Sequence, residues 1–272
     1  MITQAASNLP KPRIHSPIDH PGITYTDGDV STDEEIAATR PDFVDVSHHQ
    51  NNIDWDAYKR SGRTAAIIKV TEGGDWVDDR FAEHRQALAD RGLKCGFYHF
   101  ARPNGTDMAA DATVEANNFL SQVGTMSANE FPVLDFEVSN KLTPQQLGQW
   151  AAKFMSIVEE RSGKTPWFYS YSAMVKKVDC SEITKYPLWL ANYSSGSDKA
   201  KPPSAAPWNS MIAWQYTDKA SVDGINGKVD GNYMYGAWPG EGTPPDQQPG
   251  QPAPPAGQPT PPSQPAPPAG QA

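Results

Sequence analysis

The sequence predicts an α/β fold in which a parallel sheet closes into a barrel with helices on its outside. Three observations predict it: strand and helix patterns alternate, the strands are near-continuous apolar runs, and no glycine-rich phosphate loop follows the first strand. Continuous apolar strands need cover on both faces, which is the mark of a parallel sheet. An open doubly wound sheet is the main competitor. It usually carries GxGxxG after its first strand, whereas here that strand runs into SHHQNN. About eight strands in about 200 residues favour an irregular, TIM-like (β/α) barrel, with helices shortened or missing in its second half.

The elements follow in order. FVDVSHH (43–49) reads as the first strand. Residues 53–62 read as an amphipathic helix closed by glycine, and TAAIIKVT (64–71) as the second strand. Residues 79–92 carry Phe81, His84, Leu88 and Arg91 at helical spacing, again closed by glycine. LKCGFYHFA (93–101) is the third strand, and 108–123 the next helix. FPVLDFEV (131–138) is the fourth strand. The long helix at 143–163 opens on Thr143 with Pro144 in its first turn and stops at Gly163. TPWFYSY (165–171) is the fifth strand, followed by a short helix through Val178. PLWLANY (187–193), SMIAWQYT (210–217) and a weak KVDGNY (228–233) complete the set.

Composition sets the borders. Residues 239–272 hold 13 of the 26 prolines, no aromatic residue, no Lys or Arg, and five alanines as their only apolar side chains. Such a segment buries too little apolar surface to offset chain entropy. The repeat QPAPPAGQ, at 251–258 and 264–271, has the texture of an extended spacer. Residues 1–41 are polar and proline-containing, with one short helix expected from Ser31 to Arg40. The expected organisation is therefore an extended arm (1–41), one barrel domain (42–238) and a proline-rich tail or linker (239–272).

The net charge of −9 and the lack of a basic block argue against nucleic acid as a partner. No apolar run approaches 18 residues, so membrane insertion is not expected. The first residues lack the charged and apolar regions of a secretory signal. Cys95 and Cys180 have no metal-ligand spacing and are expected as buried free thiols.

The sharpest chemical feature is Asp135-Phe136-Glu137 in the fourth strand. Side chains alternate along a strand, so the two carboxylates share a face roughly 7 Å apart while Leu134, Phe136 and Val138 turn toward helices. Carboxylates pointing into a barrel are costly unless they are used or paired. They also fall near the C-terminal end of their strand, where barrel enzymes hold their sites. Asp45 sits similarly in the first strand, and Asp230 in KVDGN near the end. If the barrel closes, the first and last strands are neighbours and these two acids meet.

Four acids without ligand-spaced histidines suit a hard cation or acid–base chemistry. His48 and His49, adjacent on a strand, are expected on opposite faces and not on one metal, and His99 is equally readable as a core histidine. Aromatics stud the same strand ends: Tyr98, Phe100, Tyr169, Tyr171, Trp189, Tyr193, Trp214 and Tyr216. Flat rings beside carboxylates, with no nucleophile motif, favour glycoside hydrolysis.

These residues resemble a known family. DVSHHQNNIDW (45–55), IIKVTEG (67–73), GFYHFARP (96–103), PVLDFE (132–137), PLWLANY (187–193), IAWQYT (212–217) and VDGN (229–232) stand in the order seen in family 25 glycoside hydrolases, the Chalaropsis-type lysozymes common among phage endolysins. The resemblance spans about residues 42–236. It implies an N-acetylmuramidase that cuts the β-1,4 bond from N-acetylmuramic acid to N-acetylglucosamine in bacterial peptidoglycan. It implies Glu137 as acid/base, Asp135 assisting, and Asp45 and Asp230 as further cleft acids. Tyr98, Phe100, Tyr169, Trp189, Tyr193, Gln215 and Tyr216 are the expected sugar contacts.

The DxE spacing also resembles acetamido-sugar hydrolases in which the substrate supplies its own nucleophile. Asp135 would then orient the 2-acetamido group, and the alternative is direct activation of water with inversion. A monomer without cofactor or metal is expected. It would be made in the host cytoplasm and act at the wall after release. Two competing readings stay open: a wall-glycan-binding or virion-associated module, and a hydrolase of another acetamido-sugar polymer such as chitin.

Overall fold

The computed structural model describes residues 41–241 except 51 and 106. The expected helix at 31–40, nearly all of the N-terminal arm and the tail beyond 241 lie outside the described residues. The strands are β1 (Phe43–Val46), β2 (Ala65–Glu72), β3 (Trp76–Val77), β4 (Lys94–Phe100), β5 (Glu130–Asp135), β6 (Trp167–Tyr171), β7 (Leu188–Ala191), β8 (Ala213–Ala220) and β9 (Val229–Met234). The helices are α1 (Trp55–Arg60), α2 (Phe81–Asp90), α3 (Met108–Val123), α4 (Pro144–Ser162) and α5 (Ser172–Val175). Strand order is β1-β9-β8-β7-β6-β5-β4-β2, and a β1–β2 pairing closes the ring of eight. The irregular (β/α) barrel is the fold that the sequence predicts.

Two features depart from the expectation. Strand β9 runs antiparallel to both β1 and β8, so the sheet is not wholly parallel. The cause is length: only residues 221–228 join β8 to β9, too few for the crossover of a dozen or more residues that a parallel pair needs. The two-residue β3 hangs antiparallel on β2 as a hairpin outside the ring.

Local chemistry sets the helix limits. Asp54 caps α1 by accepting from the N–H groups of Asp56 and Ala57. Thr143 and Gln146 exchange side-chain to backbone bonds at the start of α4, and Gly163 ends it at φ 67°. Helix α3 has the limits read from the sequence.

Between β7 and β8, residues 192–212 form no helix. Side chains pin this segment to the sheet instead. Trp214 Nε1 donates to Asn192 O at 2.8 Å and Tyr233 Oη to Ser197 O at 2.8 Å. Trp208 stacks on Phe168 and donates to Tyr186 O. Among the described residues no helix is long and apolar enough to cross a membrane.

The barrel floor is aromatic. Trp238 packs against Phe43, Phe131 and Trp167 at ring-centroid distances of 5.0, 6.0 and 5.9 Å. Its backbone N–H donates to the Glu241 carboxylate, which pairs with Lys94. Trp238→Ala is therefore expected to cost about 3–5 kcal/mol in denaturant unfolding. Truncation after Glu241 is expected to leave the melting temperature nearly unchanged, and a large drop on truncation would show that the tail docks on the barrel.

His99, on β4, turns its ring to the outer face of the barrel against Phe119 and Phe154, with Nε2 2.8 Å from Glu115 and Nδ1 2.8 Å from Thr71. It is a buried, hydrogen-bonded core histidine. Cys95 and Cys180 are both buried free thiols. Burial raises both thiols, that of Cys180 to about 11, which suppresses the reactive thiolate.

Candidate active site

Asp135 is the last residue of β5, and Glu137 lies just past it. The chain stays extended there because β6 holds it. Phe136 N donates to Tyr169 O at 2.9 Å, and Ser170 Oγ donates to Phe136 O at 2.6 Å. Phe136 turns outward against Trp150 and Phe168. Alternation then brings Asp135 and Glu137 into the same cleft, where each is at most 6% exposed.

The cleft is an open space of about 280 Å³ at the C-terminal ends of the parallel strands and the N-terminal end of β9. Asp45 and Asp230 complete the acidic wall. They are register partners across the β1–β9 pair, so closure of the barrel sets them side by side. The four sequence-predicted acids thus meet in one place.

Asp45 is held by a directed network. Tyr169 and Tyr193 both donate to Gln215 Oε1, at 2.8 and 2.6 Å. That fixes the amide so that Gln215 Nε2 donates to both carboxylate oxygens of Asp45 at 3.1 Å. Asn232 Nδ2 adds a third bond at 2.7 Å, and Trp189 Nε1 locks Asn232 by donating to its Oδ1 at 2.8 Å. Each member has one orientation that satisfies its neighbours, which makes the wall rigid.

The electrostatics divide the acids into two pairs. Burial, and then the Glu137 charge, hold the Asp135 carboxyl well above the usual carboxylate range. Burial, and then the Asp45 charge, do the same to Asp230. Asp135 and Asp230 therefore keep their protons at pH values where isolated carboxylates have lost theirs. Asp135 Oδ1 is buried without a hydrogen-bond partner. An orphaned acceptor of this kind is expensive unless a ligand donor fills it.

Tyr98, Tyr169, Trp189 and Gln215 line the cleft, and Tyr193 joins it through Gln215. Two expected contacts lie elsewhere. Tyr216 is adjacent to Gln215 on β8 and so faces the outside of the barrel, stacked on Tyr233 at 4.1 Å beside Trp214. Phe100 is 2% exposed and covered by the Lys69 ammonium at 5.0 Å and the Arg102 guanidinium at 4.6 Å. It belongs to the wall behind the cleft.

His48 and His49 are not on opposite faces, because β1 ends at Val46. Their rings lie 4.0 Å apart, and His48 Nδ1 sits 2.9 Å from Asp78. Among the described residues no group of His, Cys, Asp and Glu could hold a metal ion.

The sequence reading missed Ser47, His49, Gln50 and Asp218 as lining residues, and Asn232 as the clamp on Asp45. Asp218 escapes strict alternation because the β8–β9 register shifts between Gln215 and Thr217. Asn232 stands in the VDGN segment itself. Its signal is the parity it shares with Asp230.

Three comparisons bear on this arrangement. The sequence profile described as "Glycosyl hydrolases family 25" matches residues 44–225. The protein YegX of Escherichia coli (strain CFT073) is 34% identical over 202 residues, which cover 71% of this chain and 69% of that one. Lysozyme M1 of Streptomyces globisporus is 32% identical over 206 residues, covering 71% and 67%. Among solved structures, the bacterial lysozyme from Streptomyces coelicolor matches with a TM-score of 0.63 at 28% identity, covering 71% of this chain and 91% of that one.

Proposed function

The chain belongs to family 25 of the glycosyl hydrolases, and from that premise we propose that it is an N-acetylmuramidase, with Glu137 as general acid and Asp135 as its assistant. The bond cut is the β-1,4 linkage from N-acetylmuramic acid to N-acetylglucosamine in peptidoglycan. The biological setting is wall lysis of the endolysin kind, with the enzyme made in the host cytoplasm and acting as a monomer. The lysozyme relatives support the substrate class.

The observation that carries the mechanism is the buried, unpartnered Asp135 Oδ1 beside Glu137. A donor is missing there, and the N–H of the substrate's 2-acetamido group supplies one. Accepting that bond favours the charged form of Asp135, and the proton it gives up passes to Glu137 beside it. Glu137 then protonates the leaving glycosidic oxygen. The oriented acetamido oxygen attacks the anomeric carbon as the bond breaks, giving a cyclic cation that the Asp135 carboxylate stabilises. Water opens the ring on the face the leaving group left, with Glu137 taking its proton. The aromatic and amide wall of Trp189, Tyr169 and Gln215 holds the sugar.

Two inversions give net retention. Proton NMR of fresh digests should therefore show the β-anomer first, with the α-anomer appearing only by mutarotation. An initial α-product would instead mean that a cleft carboxylate activates water directly.

A further inference from the structure

The mechanism leaves the adjacent histidines His48 and His49 unused. His49 is exposed and lines the cleft. The His48 ring lies 4.0 Å from it between centroids, and the Trp76 ring lies 5.3 Å from His48. Three rings thus run from the cleft lining out to the β2–β3 hairpin. None of them is needed to close the barrel: β3 stands outside the ring of eight strands, and β1 ends before the histidines. The run reaches solvent along its length. His48 keeps 26% of its side chain exposed, Trp76 is half-buried, and Val77 beside it is 38% exposed.

The run is firmly held. Asp78 is buried, and one of its carboxylate oxygens accepts from the His48 N–H at 3.0 Å and lies 2.9 Å from His48 Nδ1. Its other oxygen accepts from the Arg80 N–H at 3.0 Å. Gln50 closes the histidine turn by accepting from the Ser47 N–H at 3.0 Å. The hairpin is tied to α3, where Asn118 Nδ2 donates to Gly73 O at 2.9 Å and to Trp76 O at 3.2 Å. On its buried side the Trp76 ring meets the Lys69 ammonium at 4.8 Å, which Glu72 holds at 2.8 Å. A surface already ordered in this way loses little freedom when a ligand lies on it.

We propose that His49, His48 and Trp76 form an accessory glycan subsite that extends the cleft. Its occupant is a further sugar of the same strand whose scissile bond sits at Glu137. Continuity argues for that occupant, because His49 belongs both to the ring run and to the cleft lining. So does chemistry: ring faces suit sugar C–H faces, and the polar ring nitrogens suit hydroxyls. The inference rests on the glycan-cleaving reading above and adds to it a preference for longer strands.

The test is isothermal titration calorimetry with the Glu137→Gln protein, which the mechanism makes inactive. The probes are a disaccharide and a hexasaccharide of alternating N-acetylglucosamine and N-acetylmuramic acid, free of peptide. Adding Trp76→Ala should weaken hexasaccharide binding by about 3–10-fold, the worth of one aromatic contact, and leave the disaccharide unchanged. Trp76→Phe keeps a ring and should stay near the parent. Equal weakening of both probes would show that losing the ring disturbs the whole cleft, and no change in either would show that the strand does not touch it. Each result overturns the proposal. So does a parent that binds the hexasaccharide no better than the disaccharide. If W76A does not fold, His48→Ala takes its place with the same expected split. Binding is read without turnover, so a wild type that fails to cut walls sinks the muramidase reading and leaves the subsite to be judged by the split alone.

Discussion

Glu137→Gln is expected to lower the release of reducing ends from purified peptidoglycan by about 10²–10⁴-fold, the range that a general acid contributes. The amide is isosteric but has no acidic proton for the leaving oxygen. Phe136 is anchored from both its N–H and its carbonyl by β6, so the backbone that presents residue 137 does not depend on the carboxyl. The circular dichroism spectrum and the melting temperature should therefore stay close to wild type. A variant that kept near-normal turnover would remove Glu137 from the acid role, and Asp230, which also keeps a proton, would be the next acid to test.

Asp135→Asn is the second large expectation, and it points in two directions. Turnover should fall by about 10²–10³-fold, because the charge that stabilises the cyclic cation is gone. Stability should rise at neutral pH. The sign follows from linkage: Asp135 titrates higher in the folded state than in the unfolded chain. Between those two values the folded state binds more protons, so stability falls as pH rises through that window and stays low above it. Asn carries no such penalty. The melting temperature of D135N should exceed that of the wild type at pH 7, and the gap should close as pH falls toward about 4, the ordinary aspartate value. A variant less stable than wild type at pH 7 would mean that the Lys69 attraction outweighs the burial of Asp135.

Much of this site was legible because strand parity is a strong constraint. Asp135 and Glu137 are two apart on a run with apolar neighbours, and the period of two alone puts them in one cleft. The meeting of Asp45 and Asp230 needed one further assumption, that the barrel closes, and the β1–β9 register fulfils it. The same rule exposes the error at Tyr216, since Gln215 and Tyr216 are consecutive and cannot both face the cleft.

Other features had no local signal. The reversed direction of β9 depends on the length of its connection and not on its own residues. Asp218 reaches the cleft through a register shift, and His49 and Gln50 reach it from a loop, where no period applies. The cluster of Lys69, Glu72 and Arg102 joins strand β2 to the loop after β4, and only the folded barrel reveals that one carboxylate is shared by two cations.

Reduction of digested peptidoglycan with borohydride, followed by analysis of the sugar ends, tests the central claim most directly. Cleavage after N-acetylmuramic acid predicts N-acetylmuramitol as the new end, rising with digestion time in the wild type and not in Glu137→Gln. New ends reduced to N-acetylglucosaminitol would place the cut at the other linkage. No new ends from an enzyme that still binds walls would make this barrel a glycan-binding module and contradict the account.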